Sequence, residues 1–387
     1  MKILINESII RRLNEESENL KMNVPSDIKV LAKQFNRNGH DLFIVGGAVR
    51  DLFYGKEPKD YDLATDANPD RVIEILEKEG YDTIIPKGKS FGVISVIING
   101  EEYEIATFRE DGEYKDGRRP ESIKFANIDS DVKRRDLTIN ALYYDITKDK
   151  VIDLVGGVDD IKSGQIRTVG NAEDRFNEDR IRILRAIRFA AITNSDLNPD
   201  IKSAVQSNNS LKGVSFERIR DEFLKGLSKA KSTVFYLNMI KDLDLFPQIF
   251  PDLKVNYDFI EYKNPEIIIA TLLLNNSPEL VSSKLNNYKY TSKEAYNIST
   301  LISLKNLSAE NAPILKRKIS KVIISDNDLR YFLNEILGFN ESFSDAFIKF
   351  QLSLSGDDVA KEYNVKGKEL GEKINQLETE NFLKLIK

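Results

Sequence analysis

Gly46-Gly47-Ala48-Val49-Arg50-Asp51, followed by Asp60-Tyr61-Asp62-Leu63-Ala64-Thr65, decides the fold of this 387-residue chain. In front of it, Leu42-Phe43-Ile44-Val45 is a short apolar run that reads as a buried strand. Gly46-Gly47 breaks that strand: without a Cβ, the backbone can turn tightly and come close to a ligand. Asp60 and Asp62 fall in the next apolar-polar alternation, and residues two apart on a strand share a face. Two carboxylates there converge; unpaired, they would repel and one pKa would rise. A divalent cation removes the conflict, and an all-oxygen ligand set favours a hard ion such as Mg2+. The same spacing also describes two solvated carboxylates on an exposed strand, and Gly-Gly alone is an ordinary turn. The two together, with Arg50 between them, favour the metal.

Around this core, Pro25-Ser26-Asp27 opens a helix that runs to about Asn38 and closes at Gly39. Asn68-Pro69-Asp70 joins a capping side chain to a first-turn proline. That helix turns Val72, Ile73 and Leu76 inward and ends at Gly80. Phe91 to Ile98 is rich in β-branched residues, and Asn99-Gly100 is the strongest hairpin signal in the chain. The return strand, Glu101 to Phe108, carries Glu104. Residues 109–133 are charged and punctuated by Gly and Pro, and read as a long, partly mobile loop. Asp136 to Tyr143 reads as helix, Asp153 to Gly164 as a loop with a short helix, and Asp174 to Ala191 as one long helix. Ser215 caps a helix from Phe216 to Leu227. Beyond Ser228 the pattern is all helix, with a break at Pro247 and Pro251. Asn6 to Leu20 reads as a solvated helix.

With 57 Lys and Arg against 62 Asp and Glu, the net charge is −5, which argues against indiscriminate nucleic-acid binding. Basic residues nevertheless cluster at Arg118-Arg119, at Lys133-Arg134-Arg135 and between Arg180 and Arg188, and a local patch is enough to follow a phosphate backbone. The absence of cysteine excludes disulfides and thiolate metal sites. The single histidine, His40, excludes a multi-histidine centre and reads as a loop residue. Met1 to Ile10 shows no basic region followed by a long apolar run. The longest apolar run, Ile267 to Leu274, is too short to span a bilayer. A cytoplasmic protein with no membrane partner is expected, long enough for two or more domains.

Further motifs follow in order: Arg134-Arg135-Asp136-Leu137-Thr138-Ile139-Asn140-Ala141, Asp153 to Asp160, Glu178-Asp179 to Arg188, and Glu217-Arg218-Ile219-Arg220. The set resembles that of class II tRNA nucleotidyltransferases, the CCA-adding enzymes, which share a family with bacterial poly(A) polymerases. The resemblance implies an α+β fold. A polymerase-β-like nucleotidyltransferase head with a small mixed or antiparallel sheet would occupy 25–145, behind an extension at 1–24. An all-helical neck with nucleotide-selecting helices would follow at 146–228, then an RNA-binding helical body and tail at 229–387. The implied reaction adds C, C and A to the 3′ end of tRNA from CTP and ATP, with the tRNA 3′ end and acceptor arm as partner. The 3′-hydroxyl attacks the α-phosphorus and pyrophosphate leaves; two Mg2+ ions about 3.5–4 Å apart activate the one and steady the other. Asp60 and Asp62 are the expected metal ligands, and Glu104 the third catalytic carboxylate; Glu104 also fits an exposed strand residue. Gly47 by close backbone approach and Arg50 by charge would meet the triphosphate or sugar, though Arg50 can equally pair with Asp51. Arg135 resembles the family's nucleotide-binding arginine. Asp136 and Asn140 also fit a cap and a brace.

At 100° per residue, Ile183, Leu184, Ile187 and Ala190 share one helical arc, while Asp179, Arg182, Arg185 and Arg188 fan around the other. By spacing alone this is an amphipathic helix with charge pairs on its wet face. The resemblance makes Asp179 and Arg182 a protein template for the base, with Arg185 and Arg188 as further nucleotide contacts. A carboxylate accepts from an exocyclic amino group and a guanidinium donates to a ring nitrogen. Cytosine and adenine present that pattern; uracil and guanine reverse it. A buried polar group left unpaired costs about 1–3 kcal/mol, enough to discriminate. Arg180 falls on the apolar arc without a role, and Glu217, Arg218 and Arg220 read as braces. In the tail, Gly356 and Gly367 precede helix starts whose free N–H groups can hold phosphate; an ordinary helical hairpin fits them too. The competing readings are a relative that adds only A, only CC or a poly(A) tail, and a non-catalytic RNA-binding protein. The length of 109–133 argues against a CC-only enzyme, and Lys87-Gly88-Lys89-Ser90-Phe91-Gly92 leaves the others open. The presence of all three acidic candidates argues against a non-catalytic protein.

Overall fold

The computed structural model describes residues 20–84, 92–114 and 120–386. The helix expected from Asn6 onward, the stretch from Lys87 to Phe91, and Arg118-Arg119 therefore lie outside the described residues. The chain divides into two compact units, Met1–Val214 and Ser215–Lys387. The first runs α1 (Ser26–Arg37), β1 (Leu42–Val45), α2 (Gly47–Phe53), β2 (Asp62–Thr65), α3 (Pro69–Lys78), β3 (Asp82–Ile84), β4 (Val93–Ile98), β5 (Glu101–Thr107), β6 (Arg109–Asp111) and β7 (Ile123–Phe125). It continues with α4 (Ile128–Lys133), a 3-10 turn (Thr138–Asn140), β8 (Leu142–Asp145), β9 (Lys150–Asp153), α5 (Gly157–Ser163), β10 (Gln165–Ile166), α6 (Ala172–Glu178), α7 (Ile181–Thr193), β11 (Asp196–Leu197) and α8 (Pro199–Ser207).

Seven strands form one mixed sheet in the order β3-β4-β5-β2-β1-β8-β9. Only β2 and β5 run parallel; the other pairings in that sheet are antiparallel. All four side chains of β1 are buried, because apolar residues cover both faces of the central strands. On one face Ile94, Ile105, Leu63, Ile44 and Tyr144 follow one another across the strands. On the other, Phe43, Val45, Ala64 and Tyr143 pack with Phe108, Val132 and Ala141. Asn99 and Gly100 have φ of 53° and 87°, the left-handed pair a two-residue hairpin turn requires. Asn68 caps α3 by accepting the Arg71 N–H, with Pro69 in the first turn.

Several expectations give way. Asp136 to Tyr143 is not a helix: apart from the 3-10 turn, the chain is drawn into β8, which pairs with β1 and is wholly buried. Pairing with a distant strand overrides the local pattern. Residues 109–133 contain structure of their own, since β6 pairs with β7 and α4 follows, capped by Asn127. The single helix over Asp174 to Ala191 is two: α6 stops at Glu178, and Asp179 is extended at φ −153° and ψ 105° before α7 begins. The break also accounts for Arg180. It precedes α7 and donates to Asn177 Oδ1 at 2.6 Å and the Asn208 carbonyl at 3.2 Å, away from the apolar arc. The neck is not wholly helical, because β10 and β11 form a short parallel pair.

The second unit is helical: α9 (Phe216–Lys229), α10 (Thr233–Asp242), α11 (Phe246–Ile249), α12 (Pro265–Leu272), α13 (Pro278–Asn287), α14 (Ser292–Ser303), α15 (Ala312–Ile319), α16 (Asp326–Tyr331), α17 (Glu341–Lys349), α18 (Gly356–Tyr363) and α19 (Gly367–Leu385). Asn264, Ser277, Thr291, Ser325, Asn340 and Ser355 each accept a first-turn N–H, which is why so many short helices persist. The apolar run Ile267 to Leu273 is buried in and just after α12. Among the described residues no helix is long and apolar enough to cross a membrane.

Candidate active site

Asp62 opens β2, opposite Val45 of β1. Asp60 lies in the bend ahead of the strand rather than on it, so strand alternation is not what brings the two together. Their charges interact all the same. Burial pushes the Asp62 carboxyl above its ordinary range, the Arg135 guanidinium pulls it back, and the Asp60 carboxylate pushes it up again; the net is upward. β5 lies parallel to β2 with Ile105 opposite Leu63, so one step back sets Glu104 beside Asp62 on the same face. Among the described residues no three acidic or histidine side chains close into a finished metal cage. The donor set is an acidic pair with a third carboxylate at the adjoining strand position. Like charges with one carboxyl already raised are what a hard divalent cation relieves, so the residues fit the ion.

Gly46 makes the bend at φ 72° and ψ −124°, which a side chain would strain, while Gly47 heads α2. A Cβ on Gly46 would stand 3.7 Å from the Asn140 carbonyl oxygen and 4.0 Å from Arg135 Nη1. The bend, Asn140 and Arg135 therefore meet at one place. Arg50 turns inward from α2. It donates to Asp51 Oδ1 from Nε at 3.1 Å and from Nη2 at 2.8 Å, and to Asn140 Oδ1 from Nη1. Of its two sequence readings, the pairing with Asp51 is realised. Asn140 is a brace for Arg50, and its Nδ2 is buried without a hydrogen-bond partner.

Arg135 leads to a residue that the sequence reading missed. Asp131, 1% exposed, accepts at Oδ1 from Arg134 Nε (2.9 Å) and Nη2 (2.6 Å) and from the Arg109 N–H (3.3 Å). Its Oδ2 accepts from Arg135 Nε (3.2 Å), sits 3.0 Å from Arg135 Nη2, and accepts from the Tyr143 hydroxyl (2.8 Å). Tyr143 in turn accepts from Arg135 Nε at 2.9 Å and backs its guanidinium at 4.8 Å. Burial would raise the Asp131 carboxyl, but Arg135 and Arg134 outweigh it and hold the group below its ordinary range. The signal was in the spacing: arginines three and four residues after an aspartate meet it on a helix.

Asp179, at the break, is buried, and its Oδ1 accepts the Ile181 N–H at 3.2 Å. The break takes it off the α7 arc. Arg182 and Arg188 are buried as well, contrary to the wet face expected of them. Arg182 donates to Glu178 and, at 3.2 Å each, to the Arg175 and Arg134 carbonyls, and lies 5.9 Å from the Tyr114 ring. Arg185 holds Asp136 Oδ2 from Nε at 2.7 Å and Nη2 at 2.6 Å. Three guanidiniums surround Phe189: Arg188 at 4.2 Å, Arg50 at 5.0 Å and Arg185 at 5.7 Å. The ring's negative face offers these cations some of what water would. The Asp153 carboxylate accepts the N–H groups of Val155, Gly156, Gly157 and Val158, and Asp160 accepts from Thr138 and Arg167, so that motif braces the turn before β8.

Residues 42–167 match the poly A polymerase head domain, and residues 196–256 match the probable RNA and SrmB-binding site of polymerase A. Over 361 residues, covering 88% of each chain, the sequence is 32% identical to a CCA-adding enzyme of Lactobacillus helveticus. The chain belongs to the CCA-adding enzyme family. A CCA-adding enzyme of Ligilactobacillus salivarius is 31% identical over 385 residues, 92% of this chain and 93% of that one. The crystal structure of the Bacillus stearothermophilus CCA-adding enzyme in complex with CTP is similar with a TM-score of 0.70 at 25% identity, over 91% of each chain. The mixed-sheet head followed by helices is the architecture of CCA-adding enzymes. As a member of that family the chain is a nucleotidyltransferase, and the non-catalytic reading falls away.

Proposed function

We propose that this chain adds C, C and A in turn to the 3′ end of tRNA, consuming CTP and ATP and releasing pyrophosphate in the cytoplasm. The observation that carries the proposal is the meeting of the Gly46 bend, Arg135 and the acidic residues Asp60 and Asp62 at one end of the central strands β1 and β2. It occurs in a chain whose near-full-length relatives are CCA-adding enzymes. Asp60 and Asp62, with Glu104 beside them, would hold Mg2+; a bound pair of such ions activates the 3′-hydroxyl and stabilises the leaving oxygens. Gly47 lets the triphosphate approach the backbone, and Arg135 meets its phosphates. Arg50, Arg185 and Arg188 contribute positive charge around Phe189, and Asp179 with Arg182 reads the base. In this reading residues 25–145 are the head, 146–228 the neck, and 229–387 the body and tail that take the acceptor arm, behind an extension at 1–24.

The test is incorporation with Mg2+, each triphosphate singly or together, and tRNAs ending before, within or after CCA. Growth that stops once the terminal A is in place is expected. Continued A tails would make the chain a poly(A) polymerase, and incorporation of A alone or C alone would make it a partial enzyme; either result overturns the proposal.

A further inference from the structure

We infer that Asp131 is the positioning residue for Arg135, fixing the direction in which that guanidinium meets the triphosphate. This deepens the proposed function and rests on the reading of Arg135 as a nucleotide contact. An arginine side chain is long and free to rotate, so a bare one would sample many directions. Here Nε is held twice, by Asp131 Oδ2 at 3.2 Å and the Tyr143 hydroxyl at 2.9 Å, and Nη2 lies 3.0 Å from the same Asp131 oxygen. With those donors occupied, Nη1 is the nitrogen left facing Gly46, 4.0 Å from where a Cβ would stand. The carboxylate thereby consumes the inward donors and presents the outward one at the diglycine bend. The Asp131 oxygens divide the work. Oδ2 serves Arg135 and Tyr143, while Oδ1 serves Arg134 and the Arg109 N–H. Arg134 passes the restraint on, because its carbonyl accepts from Arg182 Nη2 at 3.2 Å. Asp131 itself is 1% exposed, behind Arg135 and Tyr143; it acts through the arginine.

The experiment is a double-mutant cycle on the full chain: wild type, Asp131→Asn, Arg135→Ala and the two combined. The readouts are KM for CTP and for ATP, with kcat and the melting temperature measured beside them. Coupled neighbours interact strongly enough to change an equilibrium about 2- to 150-fold. Asp131→Asn is expected to raise both KM values about tenfold with kcat changed less. In the Arg135→Ala background it is expected to add less than about twofold, since its effect runs through that side chain. A folded Asp131→Asn protein with unchanged KM overturns the inference, and so does a full, independent effect in the Arg135→Ala background. If Arg135→Ala alone leaves KM unchanged, the nucleotide-contact reading fails first and the inference with it. Should Asp131→Asn not fold, Tyr143→Phe removes the other anchor of Nε and keeps the ring. It should raise KM about threefold, again only when Arg135 is present; no change would overturn the inference.

Discussion

At Gly46 the absence of a side chain decides whether the bend exists at all. Its φ of 72° with ψ of −124° places any other residue in a sparsely populated conformation that costs about 1–3 kcal/mol. Gly46→Ala is expected to lower stability by that amount and to raise KM for both triphosphates, because relief of the strained φ would move the bend that faces Arg135. Melting curves and steady-state kinetics check it; a variant unchanged in both would show that the bend tolerates a side chain. The bend and the two acidic residues could be read from sequence because their signals lie within a few positions of one another. The surroundings of Arg50 could not, since its partner Asn140 is 90 positions away. The burial of Arg182 and Arg188 was equally hidden: charge predicts exposure, and contacts such as that of Arg188 with the packed ring of Phe189 form only in the fold.

At the scale of elements, local punctuation was legible and distant pairing was not. Asn99-Gly100 and Asn68-Pro69 announce a hairpin and a helix start by themselves. β8 carries no such announcement, and β6 and β7 have three residues each, too few for an alternation to show. The break between α6 and α7 was invisible because helical spacing continues across it. In the structure Asp179 closes one helix and supports the next through the Ile181 N–H, which places it at the start of the helix that carries Arg182. Asp179→Ala is expected to raise incorporation of U relative to C about tenfold, the worth of one buried hydrogen-bond mismatch. Metal binding, measured by titration, should stay intact. Unchanged selectivity for C and A would remove Asp179 from the template.

Across the whole molecule, a set of carboxylates ties stability to pH. Burial alone would raise Asp131, Asp136, Asp145 and Asp328. In each, neighbouring cations or hydrogen bonds win, and the folded pKa lies below the ordinary value of 3.8. A group lowered on folding contributes stability that is complete above its unfolded pKa and is lost as pH falls through the folded one. The melting temperature should therefore hold from pH 7 to about 5 and drop steeply below about pH 4. Scans across that range check it; a flat profile down to pH 3 would mean these carboxylates are not linked to folding. Asp131→Asn should flatten the drop, since one of the linked protons is gone.

The parallel seam between β2 and β5 has a further consequence for how the chain is made. β2 gains its second neighbour only after Thr107 has been synthesised, and β1 only after Asp145. Until then the ribosome holds out a ribbon with bare hydrogen-bonding margins, the kind that stick to other nascent chains. Truncations ending before Asp145 should therefore clump rather than yield a smaller working head.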